Sequence, residues 1–564
     1  MRRTRSGAAA ITSSQKNVSG TVMNKASEDL NNTGGAICFS PFSSSGEAGR
    51  VSLFSRPILP REREHFMIPM SERKNTTVLP GATMSRVASA EPLERSRSAC
   101  TLCGCGCAVT LETRRNRVVR IRPAANDYIC SKGRSSRSIA HRPARLTAPM
   151  MRLGETLVQC TWEDALSVIA TNLNIIKKNR GPKSIGCLGS VRTTNEDNYV
   201  FQKFARTVIG TNNVDMLTRL KISSSLNTGF LAGEVDKLRG HEVILVLDRN
   251  VGTINPLIGM EIVHAVNREG RRLIVVSDEP NQLTEIASVV IRPEGAVAGL
   301  VRALEGPESE QRGDISRAAL LLKAASSVAI IIPSMVSQDA VGRIGELAIR
   351  LRNVTCYPLV AGANLQGGLD MGMVPDYYPG YQKVGPRARA KFGRAWNAIL
   401  PGTAGMNAVE MLGAIEPGEI AALYIMGDDP ARGDPDIVAL LKQLDFLIVQ
   451  DVLLTDTAGI ANVVLPAAGC FERTGTVTNL ERRLRLLTQA EECAGASMPD
   501  WKIIKTLANR MGAGMNYMSA VEIMMEIKSI VPMYRDLAVD ACWPPNRLFD
   551  PARTEFFRCR RFKH

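Results

Sequence analysis

A group of five neighbouring cysteines constrains the fold of this chain more than any other feature of its sequence. Cys100, Cys103 and Cys107 follow one another closely, and Cys130 comes after a longer gap. Three thiolates from one tight loop and a fourth from a later segment form the usual ligand set of a [4Fe–4S] cluster. The spacing therefore predicts a small cluster domain, and Cys105 does not fit the ligand pattern.

Two other uses of clustered cysteines remain open at this stage. Structural zinc sites prefer two C-x2-C pairs, and only the pair Cys100 and Cys103 has that spacing. Disulfides need an oxidising compartment and are typical of small, cysteine-dense domains. Thirteen cysteines in 564 residues do not form such a framework. The sequence therefore favours an iron–sulfur site in a reducing compartment over zinc or disulfides.

Length and charge restrict the partners of the chain. A length of 564 residues predicts two or three domains. No apolar run approaches the roughly 20 residues that span a bilayer, so we expect membrane contact only through partners. The net charge is +15, but aromatic residues make up only 5% of the chain. Because a stacking platform needs aromatics, the charge favours a basic surface that keeps the protein soluble or docks acidic partners over one that binds nucleic acid.

Residues 1–95 differ in composition from the rest of the chain. They are rich in Ser, Arg, Gly and Pro, and the first 25 residues contain five basic groups and no acidic residue. Three interpretations are open: an organellar transit peptide, a disordered tail, or an upstream extension before a start at Met67 or Met84. The composition favours the last two. We therefore predict a cytoplasmic protein, possible membrane association through a complex, and organellar import as the minor alternative.

From about residue 155 the sequence alternates apolar runs of β type with helical segments. Continuous Val, Ile and Leu runs indicate strands that are buried on both faces of a parallel sheet. The candidate strands are Ser184–Gly189, Glu242–Asp248, Arg272–Ser277, Ser327–Ile332, Ala422–Met426, Phe446–Gln450 and Asn462–Leu465. A helix is predicted from Trp162 with Thr161 as its N-cap. The pattern predicts a doubly wound α/β fold, with two sheets in residues 160–360 and 385–515.

Aspartates follow four of the candidate strands. They are Asp248, Asp278, Asp428 and Asp451. Ligands of open α/β sheets bind beyond the carboxyl ends of the strands. Each Asp alone also fits a helix-capping role, but four in corresponding positions favour a crevice for a nucleotide-like cofactor.

A series of collinear motifs extends the cysteine pattern through the chain. They are Cys130–Gly133, Thr161–Ala165, Asn195–Arg206, Gly210–Asp215, Asn364–Gly372, Pro375–Tyr381, Tyr424–Pro430, Asp451–Ala458 and Asn462–Ala468. In these motifs the chain resembles the molybdopterin oxidoreductases, above all the catalytic (alpha) subunit of formate dehydrogenases. The G subunit of bacterial NADH:quinone oxidoreductase is a related family. The resemblance covers roughly residues 98–535.

The resemblance implies a small N-terminal [4Fe–4S] domain followed by doubly wound parallel-sheet domains. The implied segments are an extension (1–95), a cluster domain (96–155), two α/β regions (156–360 and 361–535) and a tail (536–564). The tail would be a remnant of the family's C-terminal β-barrel.

The same resemblance implies cofactors and site residues. The cluster ligands would be Cys100, Cys103, Cys107 and Cys130, and Lys132 would relay electrons between cluster and pterin. The second cofactor would be molybdopterin guanine dinucleotide with Mo or W. The implied pterin contacts are Asp278, Gly427, Asp428, Asp429 and Asp451.

Three positions depart from the formate dehydrogenase pattern. Lys221 occupies the position of the metal-ligating Cys or selenocysteine, and Ile222 occupies that of the following His. A protonated lysine is a poor ligand for a metal that prefers soft anionic donors, and isoleucine cannot transfer protons. Val360 stands where the family has an Arg that binds the formate carboxylate.

These departures lead to the expected function. We expect an iron–sulfur electron-transfer subunit of a multi-subunit oxidoreductase that has lost substrate chemistry at the metal. Its partners would be other redox subunits, both iron–sulfur and flavin- or NAD(P)H-linked proteins. The alternatives are an active Mo or W oxidoreductase, such as formate dehydrogenase, and a purely structural scaffold.

Overall fold

The computed structural model describes residues 93–124, 128–140, 142–217, 233–248, 250–306, 313–333 and 338–536. The strands, numbered along the chain, are β1 (Glu94–Ala99), β2 (Ala108–Arg114), β3 (Arg117–Pro123), β4 (Met150–Leu153), β5 (Thr156–Gln159), β6 (Ile185–Leu188), β7 (Val214–Asp215), β8 (Val243–Val246), β9 (Arg272–Val276), β10 (Val289–Ile291), β11 (Val328–Ile332), β12 (Val354–Pro358), β13 (Tyr377–Tyr378), β14 (Gln382–Lys383), β15 (Ala422–Met426), β16 (Phe446–Asp451), β17 (Val463–Pro466), β18 (Gly475–Thr478) and β19 (Leu484–Leu487).

The helices are distributed between the strands along the whole described part of the chain. They are α1 (Ser131–Ser135), α2 (Arg137–Ala140), α3 (Trp162–Arg180), α4 (Asn195–Phe204), α5 (Val251–Ile254), α6 (Pro256–Glu269), α7 (Gln282–Glu285), α8 (Ala296–Glu305), α9 (Asp314–Ala324), α10 (Gln338–Arg350), α11 (Leu365–Asp370), α12 (Pro386–Trp396), α13 (Ala408–Gly413), α14 (Pro435–Leu441), α15 (Asp456–Ile460), α16 (Asp500–Arg510) and α17 (Ala520–Ile530). None of these helices is long and apolar enough to cross a membrane.

The first three strands form an antiparallel sheet in the order β1-β2-β3. Alternate side chains of β2 and β3 are buried on one face of this sheet, and they include Val109, Leu111 and Ile121. This alternation follows the period of two in a strand. The strands β1 and β2 are the two arms of a hairpin whose tip carries the first cysteines.

Two larger sheets form the α/β part of the chain. The five-stranded sheet has the order β10-β9-β8-β11-β12, and all its pairs are parallel. The seven-stranded sheet has the order β5-β4-β17-β16-β15-β6-β7, with β4 and β5 antiparallel at one edge. In both sheets the central strands are buried on two faces. In β15, for example, Tyr424 and Ile425 belong to different hydrophobic clusters.

The predicted helix from Trp162 shows how local sequence sets an element boundary. The side chain of Thr161 accepts a hydrogen bond from the backbone N–H of Asp164 and so caps α3. Acidic residues occupy the first turn and basic residues the last, which suits the helix dipole. Ile169 and Leu173 bury the inner face.

The predicted α/β class is confirmed, and each candidate strand lies within one or two residues of an observed strand. The predicted division into an early and a late sheet is wrong. Strand β6 pairs in parallel with β15, and Ile185 lies opposite Ala422. A parallel neighbour is reached through a crossover of any length, so order along the chain does not identify it.

A buried guanidinium fixes the connection between α4 and the segment around residue 374. Arg206 is fully buried and donates to Asn212 Oδ1 at 3.0 Å and to the carbonyl oxygens of Gly372, Val374 and Tyr377 at 3.1, 2.8 and 2.8 Å. Burial lowers its pKa to about 10, so it is still charged at neutral pH.

We expect Arg206→Ala to be strongly destabilising, because it leaves three buried carbonyl groups without donors. Because the lost hydrogen bonds involve a charged group, we expect the free energy of unfolding to fall by about 3 kcal/mol or more. The measurement is the unfolding midpoint in denaturant. Arg180→Ala is the control, since its pair with Asp445 is roughly half exposed and is worth at most about 1 kcal/mol. Equal midpoints for the two variants would contradict the prediction.

Candidate functional site

The hairpin between β1 and β2 positions the first three cysteines. Cys100 follows β1 directly, and its backbone N–H donates to the carbonyl of Cys107 at 2.9 Å, which closes the loop. Gly106 has a φ of 53° and donates to the carbonyl of Cys103 at 3.2 Å. A left-handed φ favours glycine, so the residue between Cys105 and Cys107 is suited to this tight turn.

Cys130 reaches the loop from the following segment. It is the N-cap of α1, and its sulfur accepts from the backbone N–H of Gly133 at 3.5 Å. A Cβ atom added at Gly133 would lie 3.3 Å from Cys100 Sγ. The start of α1 therefore lies against the hairpin loop, and Cys130 lies near Cys100.

The electrostatics of the thiols reflect this proximity. Burial, together with the neighbouring Cys103 and Cys130, raises the pKa of Cys100 to about 12. A hydrogen bond from Cys105 lowers the pKa of Cys103. No three Cys, His or acidic side chains in the described part of the chain converge on a single metal ion. A cubane cluster takes one thiolate at each of four iron atoms, and the four predicted ligands would supply that number.

Lys132 and Asn255 connect the cysteine segment to the five-stranded sheet. Lys132 Nζ donates to the carbonyl oxygen of Thr253 at 2.8 Å. Asn255 is fully buried and exchanges two hydrogen bonds with the backbone of Val360, at 2.8 and 3.1 Å. The predicted relay residue thus contacts the segment that borders the cluster loop.

Val360 packs directly against the cluster loop. Its carbonyl accepts from the N–H of Gly104 at 2.9 Å, and only 3% of its surface is exposed. A Cβ atom at Gly104 would lie 2.5 Å from Val360 Cβ. At the position where the resemblance predicts a departure from the family's carboxylate-binding Arg, the structure therefore has an apolar side chain in contact with the loop. Lys221 and Ile222 lie outside the described residues.

The carboxyl ends of β6, β15 and β16 gather a second group of polar residues. Gly427 has a φ of 66° and its carbonyl accepts from Ser190 Oγ at 2.6 Å. Arg192 lies 3.6 Å from Asp428. Asp429 instead accepts from the N–H and hydroxyl of Thr457, at 3.0 and 2.7 Å.

Asp451 is the buried member of this group. Its Oδ1 accepts from the N–H groups of Val452 and Leu453 at 2.6 and 3.1 Å. Its Oδ2 is buried and has no hydrogen-bond partner among the described residues. Burial raises the pKa of the carboxyl, and Arg192 acts in the opposite direction. An unsatisfied carboxylate oxygen beyond a parallel strand fits a ligand that donates N–H groups, such as a guanine base.

The four predicted strand-end aspartates fall into two groups on different sheets. Asp428 and Asp451 belong to the seven-stranded sheet, whereas Asp248 and Asp278 follow β8 and β9 of the five-stranded sheet. Asp278 is exposed. Sequence reasoning missed Ser190 and Arg192, although both follow the carboxyl end of a predicted strand.

A buried ionic cluster packs against the strand end that carries Asp451. Arg473 pairs with Asp197 at 3.4 Å and, more closely, with Asp500. Gln450, next to Asp451, donates to Asp500 Oδ1 at 2.6 Å. Burial raises the pKa of Asp500 because it removes water from the carboxylate, and the ion pair with Arg473 acts in the opposite direction. This cluster connects α4, β16 and α16, and it fixes the strand end that carries Asp451.

Family models match both the cysteine segment and the α/β part of the chain. The model described as molybdopterin oxidoreductase matches residues 145–510, and that of the molybdopterin oxidoreductase Fe4S4 domain matches residues 93–142. The chain belongs to the molybdopterin oxidoreductase family. These two domains support a [4Fe–4S] cluster and a molybdopterin cofactor, and they confirm the resemblance found in the motifs.

The relatives of this molybdopterin oxidoreductase include formate dehydrogenases. The chain is 30% identical over 505 residues to "Putative formate dehydrogenase YrhE" of Bacillus subtilis. The aligned region covers 78% of this chain and 52% of that protein. It is 31% identical over 533 residues to the "F420-dependent formate dehydrogenase 1 subunit alpha" of Methanococcus maripaludis, covering 82% and 78%. The chain thus spans about half the length of the Bacillus relative.

A solved structure agrees with the fold. The acetylene hydratase of Pelobacter acetylenicus superimposes with a TM-score of 0.57 at 16% identity, covering 78% of this chain and 72% of that one. At this identity the match concerns the fold alone.

The assignment of cluster ligands predicts different effects for neighbouring cysteines. We expect Cys130→Ser to lower the iron content of anaerobically purified protein strongly, because one of the four thiolates is lost. Cys105→Ser is the matched control in the same loop, and it should leave about four iron atoms per chain. The measurement is iron by elemental mass spectrometry. Iron loss in the control with full retention in Cys130→Ser would reverse the assignment.

Because Oδ2 of Asp451 has no hydrogen-bond partner among the described residues, Asp451→Asn should raise the thermal midpoint and lower the pterin content. Asp451→Asn keeps the acceptor for Val452 and Leu453 but removes a buried charge. We expect a higher thermal midpoint for cofactor-free protein, since an unsatisfied buried carboxylate is destabilising. The amount of pterin released by acid from the purified protein should fall. A midpoint and a pterin content that both rise would contradict this role.

Proposed function

We propose that this molybdopterin oxidoreductase is an iron–sulfur electron-transfer subunit of a formate dehydrogenase-like or NADH dehydrogenase-like complex. In this proposal the chemistry at the Mo or W centre has been lost, and electrons pass through the cluster at Cys100, Cys103, Cys107 and Cys130. The cluster supplies one-electron transfer when bound. The chain itself supplies the thiolates, the basic environment and the contacts that hold the loop.

One observation carries the proposal most directly. Val360 replaces the carboxylate-binding Arg and is packed against Gly104 of the cluster loop. Gly104 has no space for a Cβ atom on the side that faces Val360, so the loop and Val360 are in close contact. The replacement therefore removes a substrate contact and at the same time supports the electron-transfer site.

The sequence at the metal-ligand position adds a second argument. Lys221 and Ile222 replace the soft anionic ligand and the proton-transferring His. Together with Val360, three groups needed for formate oxidation are changed in one chain. Lys132, the proposed electron relay, is present and donates to the carbonyl of Thr253, which supports an electron path that is kept while the substrate groups are changed.

The alternative function is an active Mo or W oxidoreductase with formate as the first candidate substrate. The unsatisfied Oδ2 of Asp451 favours a retained pterin dinucleotide, and the Methanococcus relative carries the name of a formate dehydrogenase subunit. A deprotonated Lys221 would then have to serve as ligand. This alternative predicts stoichiometric Mo or W.

Partners follow from the same proposal. The Methanococcus relative is named as an alpha subunit. We propose iron–sulfur and flavin- or NAD(P)H-linked redox subunits as partners, a cytoplasmic location, and membrane association only through such a complex.

Metal content separates the two functions. We expect anaerobically purified protein to contain about four iron atoms per chain, as one cubane cluster requires, with neither Mo nor W. Formate should not reduce an artificial electron acceptor in its presence. Stoichiometric Mo or W with formate oxidation would overturn the proposal in favour of the alternative.

A variant sharpens this test. In the electron-transfer proposal, Lys221→Ala should leave both the iron content and the dithionite-reduced cluster signal in electron paramagnetic resonance unchanged. If Lys221 is a metal ligand, the same variant should instead lose Mo or W while retaining iron.

A further inference from the structure

The positive charge of this chain is concentrated in the cluster domain. Residues 93–138 contain ten basic and three acidic side chains, whereas residues 139–536 contain 42 of each. The α/β part is therefore neutral. Within residues 93–536 the surplus is confined to the domain that holds the cluster, which points to a surface with its own partner.

Strand pairing places four arginines on one face of the antiparallel sheet. Arg95 lies opposite Glu112, and Glu112 lies opposite Arg120. One row further along, Thr110 lies between Arg97 and Arg122. All four arginines are exposed. We call Arg95, Arg97, Arg120 and Arg122 the arginine face.

The arginine face has one carboxylate for its four guanidinium groups. Arg95, Arg120 and Arg122 lie 3.3, 3.7 and 3.0 Å from Glu112, which they bury. Arg97 has no ion pair with any residue that the structure describes. The face therefore retains a clear excess of positive charge after its internal pairing.

The arginine face lies on the sheet whose first two strands carry the cluster loop: Arg95 and Arg97 are on β1, and Arg120 and Arg122 are on β3. Arg97 is three residues before Cys100 on β1, which is about 10 Å along a strand. β2 starts directly after Cys107. A molecule bound to this face is therefore close to the cluster ligands.

The remaining segments of the chain do not complement this charge. Residues 1–92 contain twelve basic and seven acidic side chains, and residues 537–564 contain six and three. Either segment would be repelled by the arginine face on average. Neither segment therefore supplies net negative charge to the arginine face, whereas an acidic partner protein would.

We propose that the arginine face docks an acidic one-electron carrier protein of the iron–sulfur class. The inference rests on the proposed function, because it needs an electron-transferring cluster beside the face. The cluster that Cys100, Cys103, Cys107 and Cys130 would hold would accept one electron from the reduced carrier, and the carrier would be oxidised by one electron with no bond formed or broken. The face itself carries no aromatic side chain, so it lacks the stacking groups of a single-strand nucleic-acid site.

The test uses a small acidic ferredoxin as the probe. Arg97→Gln/Arg120→Gln removes two charges while Arg95 and Arg122 still pair with Glu112. We expect about tenfold weaker binding and slower electron transfer at 20 mM salt, and a much smaller difference at 300 mM. Binding is measured by surface plasmon resonance and electron transfer by stopped-flow absorbance.

The matched control removes the same charge elsewhere. Arg387→Gln/Arg389→Gln lies on α12, where both side chains are exposed and neither pairs with a carboxylate of the described residues. This control should bind the ferredoxin as the unchanged protein does. If the first variant loses iron, Arg97→Gln alone replaces it, because its guanidinium supports no internal ion pair.

Reduction by dithionite separates the inference from the proposed function. A cluster that dithionite reduces, but with equal ferredoxin binding in variant and unchanged protein, overturns the docking face and leaves the electron-transfer role standing. A chain without a reducible cluster overturns both. Arginine-dependent binding to phosphatidylserine vesicles without ferredoxin binding would overturn the inference in favour of a membrane surface.

Discussion

The cluster loop depends on contacts from distant parts of the chain. Gly104 donates to the carbonyl of Val360 at 2.9 Å, and its own carbonyl accepts from Leu480 at 2.8 Å. Asn479 Nδ2 donates to the carbonyl of Cys105 at 2.9 Å. The two glycines of the loop allow this close approach, since a Cβ at Gly106 would lie 2.8 Å from Asn479 Cβ. The shape of the cysteine loop is thus set by the α/β part of the chain.

This dependence explains why Val360 has two meanings. In the sequence it departs from the pattern of the formate dehydrogenases that the chain resembles, and in the structure it packs against Gly104 and its backbone exchanges hydrogen bonds with the side chain of Asn255. Its carbonyl also accepts from the N–H of Gly104. Under the proposed function, one position therefore bears both on the packing of the cluster loop and on the loss of a substrate contact.

Local sequence predicted the parts of this structure that depend on local chemistry. The cysteine spacing, the Thr161 cap and the apolar strands each depend on a few neighbouring residues, so they could be recognised. The pairing of β6 with β15, the burial of Arg206 and the position of Arg192 depend on which segments meet in three dimensions. The periodicity of apolar residues does not identify which distant segments contact each other. Val360 was recognised only as a departure, because its contact with Gly104 joins residues that are far apart in sequence.

The arginine face also bears on the electron affinity of the cluster. Positive charge near a thiolate-ligated cluster stabilises the reduced, more negative form and raises its reduction potential. An acidic carrier docked on the face would neutralise part of this charge and lower the potential again. Under the docking proposal, the electron is therefore held most weakly while the carrier is bound. When the carrier leaves, the positive charge of the face again stabilises the reduced cluster. Return of the electron to the same carrier is then disfavoured.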